Sequence, residues 1–245
     1  MANPIGWCDE TINPIVGCTR GCDYCYARQF AARNLRGCEE CRTFTPHFHP
    51  EALSKLARWR KPRIVFMDSM GDWFDPAVDF RWAISSADAV AATHHLGIVL
   101  TKCRRRARDC FTAMDTIRRP NGPIPNLWLG VSVTYQQDAD GRIPFLRDTP
   151  VAGRIVSYEP MLGPVDISLT GIDWLILGAM TGPKAKKHVP ELDWAEAAID
   201  AADDAGVPVF VKDNLVEHFP DLDRPEYRRR PEFLDGTWGF GEEKA

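Results

Sequence analysis

The sequence predicts an α/β fold, a partial or complete β/α (TIM-like) barrel, from two patterns in its 245 residues. Short, continuous apolar runs recur along the chain, as in "RIVFM" (63–67) and "LWLGVSV" (127–133). Segments with helical character separate several of these runs, which is typical of a parallel sheet covered by helices. Six or seven strand-helix units favour a barrel over an open doubly wound sheet.

The elements follow from these patterns in chain order. A weaker run, "INPIV" (12–16), is a candidate first strand that would lead into a cysteine-rich loop. The other predicted strands are 63–67, 97–101, 127–133, 154–158, 174–180 and 207–212, and the predicted helices are 76–92, 104–118 and 190–205.

Composition limits the classes of protein to consider. Apolar residues make up 44% of the chain, which is enough for a large core, and the formal net charge is −4. This charge excludes a general polyanion binder, although a local basic patch stays open. We find no secretory signal and no membrane-length apolar run, so we expect a soluble, cytoplasmic protein. The eight cysteines are then metal ligands or buried thiols rather than disulfides.

The stretch "GCTRGCDYCYA" (17–27) places Cys18, Cys22 and Cys25 in a C-x3-C-x2-C spacing. A closed zinc site requires four ligands, and a [4Fe–4S] cluster normally takes four thiolates. Three thiolates would leave one iron open to an exogenous ligand, and we favour this interpretation. Zinc completed by a distant Cys or His, or a loop of reduced thiols, are the alternatives.

The predicted strands end in polar or small residues. In β/α barrels the carboxyl ends of the strands form the mouth where chemistry occurs, so these residues predict an active site there. The alternative is that any strand leaving a core becomes polar. The residues concerned are Asp68, Ser69, Thr101, Lys102, Ser132, Glu159, Thr181, Lys212 and Asp213.

The stretch "CTRGCDYCY" resembles the signature of the radical S-adenosylmethionine (SAM) superfamily, C-x3-C-x-aromatic-C, with Tyr24 at the aromatic position. Further blocks, including "RWRKPRIVFMDSMGDWF", "SYEPMLGPVDI" and "DWLILGAMTGP", resemble the phage-associated three-Cys-motif proteins. That family is a distant relative of radical SAM enzymes such as spore photoproduct lyase. The resemblance spans about 7–213. We therefore expect a radical-SAM-type barrel over 1–213, with its cluster loop at 17–27, and a C-terminal extension over 214–245.

The resemblance implies a cofactor and a set of residues to hold it. SAM would bind the open iron, and an electron from an external donor would cleave it to a 5′-deoxyadenosyl radical that acts on an unknown substrate. The loop "DSMGD" (68–72) departs from the glycine-rich, glutamate-ended form that receives the SAM amine. Helix caps or buried hydrogen bonds are open alternatives for the polar residues. The implied cluster ligands are Cys18, Cys22 and Cys25, and the implied SAM-binding residues are Tyr24, Asp68, Ser69, Asp72, Ser132 and Glu159.

A second group of potential metal ligands follows the cluster loop. Cys38 and Cys41 form a C-x2-C pair, and His47 and His49 come shortly after. Their H-x-H spacing is tighter than in common zinc fingers. Structural zinc, a second cluster and ordinary thiols are all open, and we favour ordinary thiols.

A basic run, "TKCRRRAR" (101–108), follows a predicted strand beside the proposed mouth. Its position favours phosphate contacts, so nucleic acid is the expected substrate class, although such runs are usually solvated helix faces. The rival function is a non-catalytic zinc-binding interaction protein. The candidate substrate-binding residues are Lys102, Arg104, Arg105, Arg106 and Lys212.

Overall fold

A computed structural model of the protein describes residues 5–35, 37–118, 122–182, 184–234 and 236–241. Seven parallel strands form one curled sheet in the order β1-β4-β5-β6-β7-β8-β9. Two short antiparallel pairs, β2-β3 and β10-β11, lie outside it. The strands are β1 (Glu10–Thr11), β2 (Ile15–Val16), β3 (His47–Phe48), β4 (Ile64–Phe66), β5 (Leu96–Thr101), β6 (Leu127–Val133), β7 (Arg154–Tyr158), β8 (Trp174–Leu177), β9 (Val209–Val211), β10 (Glu232–Leu234) and β11 (Thr237–Gly239).

Helices connect most successive strands and cover the outer face of the sheet, whereas β7 and β8 are joined by a fully described segment without a helix. In the part of the chain that the structure describes, none of these helices is both long and apolar enough to cross a membrane. The α-helices are α1 (Tyr26–Asn34), α2 (Glu39–Thr43), α3 (Phe80–Ala91), α4 (Arg104–Ala113), α5 (Gln136–Arg147), α6 (Leu192–Ala205) and α7 (Asp213–Val216), and a 3-10 helix covers Pro50–Arg58.

The prediction of a partial β/α barrel is confirmed by this half-barrel sheet. The candidate first strand at 12–16 is wrong in detail. The sheet begins with Glu10–Thr11, which pairs with Val65 and Phe66, whereas Ile15–Val16 pairs antiparallel with His47–Phe48. Pro14 separates the two strands, and proline cannot donate a hydrogen bond to a strand ladder.

Alternate residues of the parallel strands supply two cores. The helix-facing core holds Val65, Val99 and Leu129, while the inner face packs Phe66 and Trp174 against Trp7. The ring centroids of Trp7 and Phe66 lie 4.9 Å apart. Since both faces of the sheet are buried, its strands appear in the sequence as continuous apolar runs.

Trp238 and Phe240, near the end of the described chain, pack against the amino end of the half-barrel. The Trp238 indole Nε1 donates a 3.0 Å hydrogen bond to the His94 carbonyl, just before β5. The Phe240 ring lies 6.0 Å from that of Trp174, the first residue of β8. These two residues therefore cover the end of the sheet opposite the strand termini that were predicted to carry chemistry, whereas Asn214, the first residue of the extension, donates to the Ala179 carbonyl at 2.7 Å beside those termini.

Candidate functional site

A cavity of about 640 Å³ opens at the carboxyl ends of the parallel strands. Its volume is within the range of small-molecule sites, roughly 300–1,000 Å³. All seven strands contribute through residues at or next to their carboxyl ends, or shortly after them. The contributors, in sheet order, are Thr11, Phe66, Thr101, Ser132, Ser157, Ala179 and Lys212.

The cysteine loop forms one wall of this cavity, and Cys18, Cys22 and Cys25 all line it. The loop starts where β2 passes very close to the chain around Thr45. Gly17 has φ +98°, and a Cβ there would lie 2.5 Å from the Thr45 carbonyl carbon. Only glycine fits this position, so the start of the loop is fixed by the backbone.

Two side chains outside the cysteine motif hold the loop in place. Asp75, which is fully buried, accepts hydrogen bonds from the Thr19 backbone N–H at 2.8 Å and from its hydroxyl. The Arg28 guanidinium donates a 2.7 Å bond to the Cys18 carbonyl. Sequence reasoning missed both residues, because neither lies at a strand end or in the cysteine motif.

The environment of the thiols suits metal ligands that bind as thiolates, because backbone N–H groups point at two of the three sulfurs. Backbone N–H groups of Arg20 and Arg28 donate to the sulfurs of Cys18 and Cys25, each at 3.4 Å. Burial raises the pKa of the Cys18 thiol to about 12, so its proton stays until a metal replaces it.

Asp68 lines the cavity immediately after β4 and has an unusual environment. Its Oδ1 accepts a 3.1 Å hydrogen bond from the Leu100 backbone N–H, while its buried Oδ2 has no hydrogen-bond partner. Burial, reinforced by the nearby Asp72 carboxylate, raises the pKa of Asp68 well above its usual 3.8. An orphaned buried oxygen in a cavity wall is suited to meet a polar group of a ligand.

Replacing Asp68 with Asn should remove a pH dependence of stability. Because the pKa of Asp68 is higher in the folded state, folding retains a proton that the unfolded chain releases. Wild-type stability should therefore fall, relative to the variant, as pH rises from 3.8 towards the raised pKa. Urea denaturation of both chains across this range measures the difference, and a constant difference in unfolding free energy would contradict it.

Two other residues of the 68–72 loop are engaged by the protein itself. The Asp72 carboxylate accepts hydrogen bonds from the Thr101 hydroxyl at 2.7 Å and from the Lys102 N–H at 3.0 Å. The Ser69 hydroxyl donates to the Asn13 side-chain oxygen at 3.1 Å. Both residues line the cavity. Their hydrogen bonds tie the loop to β5 and to the segment before the cysteine loop.

The remaining predicted cofactor residues also line the cavity, namely Tyr24, Ser132 and Glu159. The Tyr24 hydroxyl shares a 3.2 Å hydrogen bond with the Thr134 hydroxyl. Glu159 forms a salt bridge with Lys212, and both side chains are mostly buried. This pair offers a ligand a cation and an anion from one wall of the cavity.

The basic run is divided between the cavity and the outside of α4. Lys102 lines the cavity, and its ammonium lies 5.7 Å from the centre of the Tyr24 ring. Arg104, Arg105 and Arg106 do not line it. Arg106 donates to two backbone carbonyls, those of Phe74 at 3.2 Å and Val78 at 2.8 Å. The Arg106 side chain therefore stabilises the packing of α4, which corrects its assignment to the cavity mouth.

The guanidinium groups of Arg104 and Arg105 lie 5.4 Å and 5.8 Å from the Phe145 ring centre, and Arg108 lies over the same ring. Of these three arginines, only Arg105 is exposed. The dense basic run is therefore largely used in packing α4 against α5, where cation–π contacts are favourable.

Cys38, Cys41, His47 and His49 converge on one point, although they are not part of the cavity wall. Their four ligand atoms all lie within 4.8 Å of one another. The preference for ordinary thiols at Cys38 and Cys41 is therefore not supported, and the structure favours the metal-site alternative. The sequence argument undervalued the H-x-H spacing, because on a strand residues i and i+2 share a face.

Comparison with known proteins gives a family and two structural likenesses. One solved structure, a spore photoproduct lyase double mutant with bound AdoMet and dinucleoside spore photoproduct, shows a TM-score of 0.46 at 13% identity, covering 96% of this chain and 69% of that one. A single mutant of spore photoproduct lyase gives 0.44 at 13% identity, with 97% and 70% covered. No curated protein matches the sequence significantly. A family model matches residues 2–237, and the chain accordingly belongs to the family described as "Protein of unknown function (DUF5131)".

Proposed function

We propose that the protein is a radical SAM enzyme, in which Cys18, Cys22 and Cys25 hold a [4Fe–4S] cluster with one open iron. One observation carries this proposal: three cysteines from one short loop line a cavity at the carboxyl mouth of a parallel half-barrel. In such folds the strand ends and the loops after them carry the chemistry. The ordered sequence blocks support the further inference that its relatives are the phage-associated three-Cys-motif proteins.

The donor set fits such a cluster. A cubane cluster binds each thiolate through a different iron, so its ligands stand farther apart than those of a single ion. Cys18, Cys22 and Cys25 lie on one short loop and all line the cavity, so each would bind a different iron of one cluster. The N–H groups of Arg20 and Arg28 point at two of these sulfurs and would stabilise their negative charge.

The cavity offers complementary groups for SAM. When bound, the cluster would supply the electron that cleaves SAM to a 5′-deoxyadenosyl radical. Asp68, with its orphaned oxygen, is suited to the amine, and Lys212 to the carboxylate. Tyr24 lies beside the cysteines and offers an aromatic face for the adenine. The cavity walls would also limit the access of water to a reactive radical.

Metal analysis separates this function from its rival, a non-catalytic zinc-binding protein. Anaerobically reconstituted protein should be brown and hold about four irons per chain, as one [4Fe–4S] cluster requires. A colourless protein that takes up zinc but no iron would support the rival. The reaction also requires an electron donor, which we propose to be a separate reducing protein in the cytoplasm.

We further propose a nucleic-acid substrate. Lys102 at the cavity and the exposed Arg105 on α4 would supply local positive charge to a chain whose formal net charge is −4. A double variant, Lys102→Gln with Arg105→Gln, should weaken oligonucleotide binding and flatten the slope of log K against log salt by roughly 1–2. Arg106 stays unchanged because its guanidinium holds α4 in place.

The matched control is Arg60→Gln with Lys61→Gln. It removes the same charge from two exposed residues before β4, at the opposite end of the barrel. This control should keep the wild-type affinity and slope. A wild type that does not bind at low salt, or a double variant with an unchanged slope, would direct the search to peptides or small molecules.

A further inference from the structure

Four side chains beside the cysteine loop present ligand atoms to one point. The His47 Nε2 lies 3.4 Å from the Cys38 sulfur and 3.3 Å from the Cys41 sulfur. The His49 Nε2 lies 3.3 Å from the Cys41 sulfur and 2.7 Å from the His47 Nε2. Two thiols and two imidazoles are the donor set of a structural Cys2His2 zinc site.

Each imidazole makes a hydrogen bond through its Nδ1. These bonds leave Nε2 as the nitrogen that faces the other ligand atoms. The His47 Nδ1 bonds the Thr45 carbonyl at 2.8 Å, and the His49 Nδ1 bonds the Glu51 carboxylate at 2.7 Å. A carbonyl and a carboxylate only accept, so each Nδ1 must carry the proton. If both rings are neutral, the two Nε2 lone pairs then point at each other, and a metal ion between them would satisfy both. Metal-bound histidines typically have such outer partners.

Local structure explains why these four residues meet. Cys38 caps α2, and its sulfur accepts the Cys41 N–H at 3.4 Å. Phe44 takes a left-handed conformation, φ +60°, at the end of α2 and turns the chain back towards β3. On that segment His47 and His49 point to one side, while the ring of Phe48 stacks on Trp82 at 5.8 Å.

The separations suit a tetrahedral ion. With bonds of about 2.0–2.1 Å to nitrogen and 2.3 Å to sulfur, a zinc tetrahedron has nitrogen–sulfur edges of roughly 3.5 Å. The three nitrogen–sulfur separations, 3.3–3.4 Å, agree with this value. The nitrogen–nitrogen separation of 2.7 Å is shorter and would widen on binding. An S2N2 tetrahedron selects zinc over harder cations.

The same segment forms the support of the cysteine loop. β3 pairs with β2, placing Val16 opposite His47, and the His49 N–H donates to the Pro14 carbonyl at 2.6 Å. Phe44, between the two pairs of ligands, accepts the Cys18 N–H at 3.3 Å through its carbonyl. The Phe44 ring packs with Ala27 and Ala31 against Cys18 and Cys25. The Phe44 side chain also lines the cavity.

We propose that Cys38, Cys41, His47 and His49 bind one structural zinc ion, and that this ion fixes residues 38–49 as the support of the cysteine loop. The zinc site stands apart from the proposed function. Only the statement that the cysteine loop holds an iron–sulfur cluster rests on the proposed function. Without the metal, the short α2 and the two-residue β3 would be held by the pairing with β2 and by the packing of Phe44 and Phe48.

Metal content tests the zinc site. The full chain, purified from zinc-containing medium, should hold about one zinc, and Cys41→Ala should hold none. His49→Cys replaces one zinc ligand with another and should keep the zinc. Together with Cys41→Ala, it distinguishes the loss of a ligand from a general folding defect. Cys22→Ala should also keep it, even without a cluster. A zinc-free wild type, or zinc retained by Cys41→Ala, would overturn the assignment, whatever the fate of the iron.

A second comparison tests the histidine geometry. Glu51→Gln should weaken zinc binding about 10–100-fold in competition with a chromogenic chelator, the usual cost of losing an outer partner. Glu39→Gln is the matched control, since Glu39 is exposed and pairs with Arg42 rather than with a ligand. Equal affinities in the two variants would overturn the role of Glu51.

Amide hydrogen exchange tests the support of the loop. Removing zinc from the full chain should speed exchange over residues 17–28 and leave β6 protected, because the Cys18 N–H bonds Phe44. The Cys22→Ala background gives the same readout without a cluster. If zinc leaves and exchange over 17–28 does not change, the ion does not position the loop.

Discussion

Replacing Cys22 with Ala should yield a folded chain that cannot hold an iron–sulfur cluster. Cys22 is half-buried in the loop, and its sulfur is one of three thiols at the cavity. Two remaining thiolates would leave a second iron without a protein ligand. Iron content after anaerobic reconstitution should fall from about four per chain to nearly none, together with the visible absorption.

The matched control for this experiment is Cys110→Ala. Cys110 is buried on α4 and lines no part of the cavity. This variant should lose some stability, because a small buried side chain is shortened, and should keep its iron. A Cys22→Ala chain with full iron content would refute the ligand assignment.

Replacing Asp75 with Ala should weaken both the fold and the hold on the cluster. The carboxylate is fully buried and accepts from the Thr19 N–H, the Thr19 hydroxyl and the Ala77 N–H. Removing it leaves these donors without partners, at a cost of roughly 2–4 kcal/mol in unfolding free energy. Since Thr19 follows Cys18, the variant should also lose iron faster to a chelator.

Two further substitutions calibrate the Asp75 result. Asp75→Asn keeps one acceptor oxygen and should cost less than Asp75→Ala. Asp79→Asn changes an aspartate in the same segment that caps α3 and pairs with the exposed Arg81, and asparagine caps equally well. Urea denaturation and the rate of iron loss give both readouts. Unchanged stability and iron retention in Asp75→Ala would show that the contact with Thr19 does not hold the loop.

Much of the half-barrel could be predicted because parallel strands buried on both faces leave a clear sequence pattern. The prediction of strands at 127–133 and 154–158 agrees with β6 and β7 to the residue. α5 was missed, since "QQDADGRIPFLR" contains Gly141 and Pro144, both unfavourable inside a helix. In α5, Arg142 is buried and pairs with Asp138 at 2.5 Å. It occupies a position where an apolar residue would normally indicate the buried face of a helix.

The sequence predicted the site residues that lie in the cysteine motif or at strand ends. It did not predict the residues whose roles depend on tertiary contacts. The three cysteines and the polar strand ends other than Asp213 lie around one cavity. The partnership of Asp75 with Thr19 joins residues 56 positions apart and leaves no local signal. For the arginines of α4, the sequence predicted substrate contacts, whereas the structure packs Arg104 and Arg105 against Phe145. A run of charged residues gives no indication of such packing.

The formation of 5′-deoxyadenosine tests the central claim most directly. Reconstituted wild-type protein, reduced anaerobically with dithionite in the presence of SAM, should release 5′-deoxyadenosine, quantified by liquid chromatography. The Cys22→Ala chain should release none under the same conditions, whereas Cys110→Ala should match the wild type. A wild-type chain that carries a full cluster and leaves SAM intact would contradict the account, as would equal release from wild type and Cys22→Ala.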